Sequence, residues 1–399
     1  MSARGNGSGS WRREDVEVLG TLQDLVSIDS VNPDLPGGST GEGGMVDYLR
    51  RFFADLDIGC ELDEVLPGRH NVVATLPGDD RSRTLLFECH MDTASVEIMT
   101  IPPFEPHVRE GLLYGRGSCD TKAGGAAMVQ AMKRLRDAGT TPPVDIVFAG
   151  CVDEEHLMRG SQRLAANVSP TAAVIAEPTD LAVIRAHKGV LRFRVVVAGT
   201  AAHSSKPQLG VNAITKMAAL IDRIDGELVP QVQASADPLL GPSTLNIGVI
   251  AGGQQVNFVP DTCTIDIDVR MVPGQTAYGV IEALRNCIAE AASDDSLLDA
   301  TVEPPYFSAA AVGTDESEAI VVSAVNACRE VTGVVTVEGV PYGTDGSPFG
   351  ERGVPTVVLG PGSIDQAHGA VEWVECEQVV RAVDIYERIM RAGLPAGAG

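Results

Sequence analysis

The amino-acid sequence predicts an α/β sheet protein with a small α+β domain inserted into it. Strand-like apolar runs and amphipathic helical runs alternate through most of the chain, the pattern of a sheet layered with helices. The chain has 399 residues, too many for one typical domain and suited to two. Its middle reads differently, as strand-helix-strand-strand-helix, an order that suits a two-layer α+β unit.

Residues 42–56 form an amphipathic helix. Residues 84–89 are a short apolar strand that runs into His90. Residues 121–138 are helical and stop at Gly139, a good C-cap. A strand over 144–152 runs into Asp153-Glu154-Glu155, and a strand over 172–176 ends at Glu177-Pro178. In the middle, residues 191–198 alternate like a half-buried strand and 211–224 form an amphipathic helix. Strands over 245–250 and 263–271 and a helix over 275–291 follow. Towards the C-terminus come a strand over 355–359, a Gly-rich turn to His368, and a last helix over 375–390. The domain boundaries expected from this reading are 1–183 with 310–399 for the main domain, and 184–309 for the insert.

Composition narrows the function. Hydrophobic residues make up 44% of the chain, enough for a sizeable core. The formal charge is −24 and the pI about 4.6. So acidic a chain repels nucleic acid and anionic membrane but accepts metal cations. Its eight cysteines are scattered, with no Cys-x-x-Cys pair, which argues against a thiolate zinc site or a redox motif. Reduced, buried thiols in a reducing, cytoplasmic compartment are expected instead. Residues 1–11 lack the apolar segment of a signal peptide and read as a disordered tail. No run of about 18 apolar residues is present to span a membrane.

One pattern carries chemistry. His90, the Glu154-Glu155 pair, Glu177 and the turn at His368 each follow the end of an apolar strand. In open α/β sheets, sites lie in the crevice beyond those ends, so residues far apart in sequence can converge there. Imidazole and carboxylate are the ligands of catalytic zinc, and a bridging carboxylate suits a two-metal site. Asp120, at the start of a helix in Gly115-Arg116-Gly117-Ser118-Cys119-Asp120, could bridge metals or could be an N-cap. Each signal has a plain alternative: a structural histidine, a solvated turn at the glutamate pair, a loop glutamate before proline.

The same residues resemble the M20 metallopeptidase and amidohydrolase family across about residues 15–395. Cys89-His90-Met91-Asp92-Thr93 looks like its His-x-Asp motif, and residues 114–124 like its Gly-Arg-Gly-x-x-Asp-x-Lys-x-Gly motif. Asp153-Glu154-Glu155, Ala176-Glu177-Pro178-Thr179 and Gln366-Ala367-His368 match three further motifs. Ala202-His203-Ser204-Ser205 with Gly210-Val211-Asn212-Ala213-Ile214 looks like the signature of its inserted domain. The look is nearest to the branch of acetylornithine deacetylase and succinyl-diaminopimelate desuccinylase. Departures occur at Thr121, where the family usually has Met, at Leu157 or Met158, where it usually has a small residue, and at Ala94-Ser95, where it often has Val-Pro.

The resemblance implies a zinc exopeptidase-like fold, with a central mixed sheet, helices on both faces, and an inserted α+β dimerisation domain. It implies two Zn²⁺, replaceable by Co²⁺ or Mn²⁺, held by His90, Asp120, Glu155, Glu177 and His368, with Asp120 bridging. Asp92 would orient His90, and Glu154 would act as general base. His203, Asn257 and Arg270 would bind the oxyanion and the substrate carboxylate, His203 from a partner subunit, although Asn257 could be a loop residue and Arg270 an exposed strand residue. Thr344, in Gly343-Thr344-Asp345-Gly346, could line the pocket or belong only to a turn. The expected protein is a homodimeric, metal-dependent hydrolase of linear amide bonds in a small N-acylated amino acid or a short peptide. Deacylation of an N-acyl amino acid leads; an M20 dipeptidase, carboxypeptidase or desuccinylase is the near alternative. A non-catalytic metal-binding protein on this scaffold is the distant one. A dinucleotide site is disfavoured, because Asp120 stands where the third glycine of the fingerprint should be, and no Gly-x-Ser-x-Gly elbow is present.

Overall fold

The computed structural model describes residues 12–394, so the expected N-terminal tail lies outside the described residues. The chain divides into two units. The first runs up to Ile184 and resumes over Asp315–Val337 and from Val354 onwards; the second is Arg185–Thr314 with Glu338–Gly353.

The first unit is built on a mixed sheet. Its strands lie in the order Gly59–Leu66, Arg69–Leu76, Val144–Cys151, Asp80–His90, Ala172–Ile175, Thr356–Val358, then the start of Val183–His187. The middle four are parallel and the flanking pairs antiparallel. Leu85, Phe87 and Cys89 alternate onto one face with Ile146, Phe148 and Val174. There they meet the helices Arg13–Val26, Gly43–Asp55, Lys122–Asp137, Ala319–Thr332 and Cys376–Ala392 in one core. Phe87 lies edge-on to Tyr386 with ring centroids 5.8 Å apart, and Phe148 packs on Phe53 at 5.4 Å. Each such buried side chain contributes roughly 1.5–3 kcal/mol.

Parallel strands all end on the same side. Those ends therefore gather His90, the segment after Cys151 and the segment after Ile175. The helix Lys122–Asp137 is drawn in tightly beside them, because its first turns are Ala123-Gly124-Gly125-Ala126-Ala127, all fully buried or glycine. A Cβ on Gly124 would lie 2.6 Å from the Cβ of Ala176, and one on Gly125 2.9 Å from the Cys89 sulfur. Only glycine permits this approach, and it brings the start of the helix up to the strands bearing His90 and Glu177.

The second unit is a separate antiparallel sheet with its own core. Thr244–Gly252, Thr262–Met271 and Gly189–Ala198 lie side by side, and Asp299–Val302 and Phe307–Ala309 pair with the far edge of Gly189–Ala198. Leu191, Phe193, Val195 and Val197, with Ile265, Ile267 and Val269, face the helices Ala213–Arg223 and Ala277–Asp294. The alternate positions carry charge: Arg192 pairs with Asp268 and Arg194 with Asp266. Asn212 caps the first helix by accepting the Thr215 N–H.

The division differs from the sequence reading in two segments, apart from a one-residue shift at Ile184. Residues 310–314 and residues 338–353, with Thr344, were expected in the main domain and group instead with the second unit. Local bonds explain it. The Val340 carbonyl accepts the Lys188 N–H, Ser347 Oγ donates to the Ala310 carbonyl, and Gly350 sits against Val312.

Gly124→Ala should test the close approach, because two effects oppose. Alanine in a helix interior gains about 1 kcal/mol over glycine, whereas overpacking costs about 1–3 kcal/mol. With Cβ atoms 2.6 Å apart and neither on a flexible arm, a net loss of stability is expected. A denaturant midpoint at or above wild type would show that the helix is free to move away.

Candidate metal centre

Four of the expected ligands meet in the first unit. His90 Nε2 lies 3.1 Å from Asp120 Oδ1, and His368 Nε2 lies 3.3 Å from Asp120 Oδ2. His368 Nε2 is also 2.9 Å from Glu155 Oε2. Ligand atoms of His90, Asp120 and Glu155 all lie within 4.8 Å of one another. Asp120 thus presents one carboxylate oxygen to each histidine, the arrangement of a carboxylate able to bridge two cations. It does not cap the helix: Thr121 holds that position, after a cis Asp120–Thr121 peptide. Glu177 is buried, and its charge acts on His90, as does that of Glu154.

The ligands are held by buried polar groups. His90 Nδ1 is 2.9 Å from the Asp92 main-chain oxygen, while the Asp92 carboxylate stands 3.8 Å away. The expected orienting contact is therefore made by the backbone of Asp92. Its carboxylate braces the glutamate pair instead, with Oδ1 accepting the Glu154 N–H and Oδ2 the Glu155 N–H, each at 3.1 Å. Asn32 Nδ2 donates to the same carboxylate at 2.7 Å and to Asp153 at 3.1 Å. Asp153 bends the chain with φ 73°, a left-handed conformation that aspartate tolerates. Its buried carboxylate, bonded by Arg159, stays below the ordinary range against the opposing effect of burial.

The charges at the centre are unbalanced. Burial works to lower the His90 pKa, but the hydrogen bond and charge of Asp120, with Glu177 and Glu154, carry it well above the ordinary value. Hydrogen bonds to Asp120 and Glu155 raise His368 to about 10. Burial favours the neutral acid of Asp120, yet the two imidazoles hold its pKa low. Burial and the charge of Asp120 push Glu155 up. Buried carboxylates here outnumber the imidazoles, and the imidazoles respond by holding protons. A divalent cation would take the place of those protons, and the imidazole and carboxylate set fits zinc-type ions.

Sequence reading missed Asn32 and Glu372. Asn32 lies in Ser30-Val31-Asn32-Pro33, which carries no motif signal. Glu372 follows His368 by four residues, is fully buried, and accepts the N–H groups of Gly117, Cys119 and Asp120. A glutamate at that interval from a ligand was the only available hint.

The remaining expected residues lie in the second unit. His203, exposed, accepts the Ser205 N–H at Nδ1, 3.2 Å, which leaves Nε2 to carry the proton. Asn257, also exposed, accepts the Ser204 N–H with its main-chain oxygen. Arg270 Nε is bound to Asp268 Oδ1 at 2.8 Å, with its two terminal nitrogens beyond that bond. Thr344 is buried, and its Oγ1 accepts the Gly346 N–H at 3.0 Å.

The chain is similar to known proteins along most of its length. Residues 86–392 match the model of peptidase family M20/M25/M40. The acetylornithine deacetylase of Vibrio campbellii is 31% identical over 381 residues, covering 93% of this chain and 97% of that protein. The acetylornithine deacetylase of Proteus mirabilis is 30% identical over 364 residues, 88% and 90% of the two chains. Among solved structures, aminopeptidase PepT from Bacillus cereus superposes with a TM-score of 0.77 at 22% identity, over 94% of this chain and 98% of that one. The YXEP protein of Bacillus subtilis, described as a dinuclear metal binding peptidase of family M20, gives 0.71 at 18% identity, over 96% and 98%. The chain belongs to peptidase family M20/M25/M40 and is a hydrolase acting on amide bonds.

Proposed function

We propose that the protein is a two-zinc amidohydrolase that deacylates an N-acyl amino acid, in the manner of an acetylornithine deacetylase. The observation that carries the reading is Asp120 offering one carboxylate oxygen to each of His90 and His368. Identity of about 30% to acetylornithine deacetylases along nearly the whole chain supports the substrate class. His90, Asp120, Glu155, Glu177 and His368 would hold two zinc ions, with cobalt or manganese as replacements. Bound there, the cations acidify water and polarise the scissile carbonyl.

The chain's own residues do the rest. Glu154, set beside Glu155 by its N–H bond to Asp92, takes the proton of the attacking water. It then delivers that proton to the leaving amine as the carbon–nitrogen bond breaks. His203, with its proton on Nε2, donates to the developing oxyanion. Arg270 binds the substrate carboxylate with the terminal nitrogens that its bond to Asp268 leaves over. Asn257 and Thr344 line the substrate site. We place His203 in the site of a second copy of the chain, which makes the enzyme a homodimer. The eight cysteines are free thiols and no helix among the described residues is long and apolar enough to cross a membrane; a cytoplasmic location fits both.

A hydrolysis screen of the zinc-loaded protein over N-acetyl, N-succinyl and N-formyl amino acids and dipeptides tests the substrate class. Release of amine fastest from an N-acetyl amino acid is expected, and preference for a dipeptide would replace the deacylase reading with a peptidase one. On the preferred acid, Arg270→Lys should raise KM with kcat little changed, and should spare the matching amide; equal losses on both would remove Arg270 from carboxylate binding.

Glu154→Gln should keep the fold and both metals while kcat falls by about 10²–10⁴. Metal analysis and turnover on the same sample check this, and near-normal kcat with full zinc would exclude Glu154 as the base. His203→Ala and Glu154→Ala, each inactive alone, should regain activity on subunit exchange, in proportion to the mixed dimer formed. No regain in a proven mixed dimer would place His203 outside the partner's site.

A further inference from the structure

Arg116 and Glu372 are only 1% and 0% exposed, and they are bonded to each other at 2.7 Å through Nη1 and Oε2. The Glu372 carboxylate also accepts the Gly117 N–H at 3.1 Å, the Cys119 N–H at 2.9 Å and the Asp120 N–H at 3.0 Å. The loop leading to Asp120 therefore closes around an internal carboxylate as other loops close around a bound anion. Arg116 reaches further. Its Nη2 donates to the Ser95 carbonyl at 2.7 Å and to the Gly369 carbonyl at 3.5 Å. Ser95 follows His90 by five residues, Gly369 adjoins His368, and Glu372 lies in the same segment as His368. One buried pair thus ties together the three segments that carry His90, Asp120 and His368.

Stability alone does not account for such a pair. Buried ion pairs are often no more stabilising than well-packed apolar residues of similar size, because desolvation offsets the attraction. Here the pair's contacts go almost entirely to main-chain groups of ligand-bearing loops, and they spread over all three.

We propose that Arg116 and Glu372 are positioning residues that set Asp120, His90 and His368 in register for the metal ions. This rests on the metal-dependent reading above. Neither residue touches substrate; they act through the ligands. Outer-shell groups of this kind typically change metal affinity by about 10–100-fold.

The experiment is zinc titration of the metal-stripped chain against a competing chelator, with the apo-protein melting temperature measured alongside. The wild type should take up two zinc ions; if it takes up none, the functional reading itself falls. Glu372→Gln should weaken zinc binding about 10–100-fold, but it leaves Arg116 buried without its partner and can unfold the chain. The double variant Arg116→Met with Glu372→Gln removes that burden, and its apo melting temperature should recover towards wild type. Zinc binding should stay weak in it, because a glutamine has one accepting oxygen and cannot serve both the Gly117 N–H on one side and the Cys119 and Asp120 N–H groups on the other. Recovery of zinc affinity together with stability would show a structural ion pair only and overturn the proposal. Should the double variant not fold, Arg116→Lys decides. It keeps the buried cation but lacks the fork that spans Glu372 and Ser95, and wild-type zinc affinity in it overturns the proposal equally.

Discussion

The structure turns on a surplus of negative charge at the ends of parallel strands. Asp92, Asp120, Glu155 and Glu177 are buried or nearly so, close to His90 and His368, and among the described residues Arg69 also acts on Asp92. Such a cluster is costly to bury unless cations or protons balance it. The same carboxylates shift both imidazoles upward, Asp120, Glu177 and Glu154 acting on His90, and Asp120 and Glu155 on His368. Asp92 is relieved differently, by N–H groups of Glu154 and Glu155 and by Asn32. Folding thus prepares a site whose electrostatics favour a doubly charged guest, and the glycines of the Lys122–Asp137 helix let Asp120 come near enough to complete it.

The candidate ligands stood out in two ways: His90, Glu155, Glu177 and His368 each come after an apolar run, and Asp120 stands just before a helix. His90, Glu155 and Glu177 follow strands whose hydrophobicity is visible without a structure, and the parallel sheet converts that shared position into proximity. The inserted unit was legible for the same reason: alternation in residues 191–198 and 263–271 is the pattern of a sheet with one face under helices. Sequence reading gave way where the main chain makes the contacts. The Asp92 oxygen that orients His90 and the N–H groups around Glu372 have no residue-type signature. Nor does Asn32, which lies sixty positions from the carboxylate it binds. The misplacement of Thr344 has a similar origin, since the segment 338–353 is held by bonds to main-chain groups of Lys188 and Ala310, which leave no pattern in the sequence.

The departures from the family pattern acquire a physical meaning from the same contacts. Of Leu157 and Met158, one of which stands where the family usually has a small residue, Met158 has φ 55°, a left-handed conformation in which a side chain is unfavourable. Burial of the methionine side chain offsets this. Ser95 replaces an expected proline, and it is tied down on both sides: Oγ donates to the Pro36 carbonyl, and its own carbonyl accepts from Arg116. Thr121 is the most informative. Where a methionine is usual, its Oγ1 donates to the Ala176 carbonyl at 3.0 Å. Thr121 adjoins Asp120 and Ala176 adjoins Glu177, so this hydroxyl joins the segments of two ligands directly. A methionine at that point could only pack. All three substitutions are thus absorbed by local contacts within the first unit, close in sequence to His90, Asp120 and Glu155.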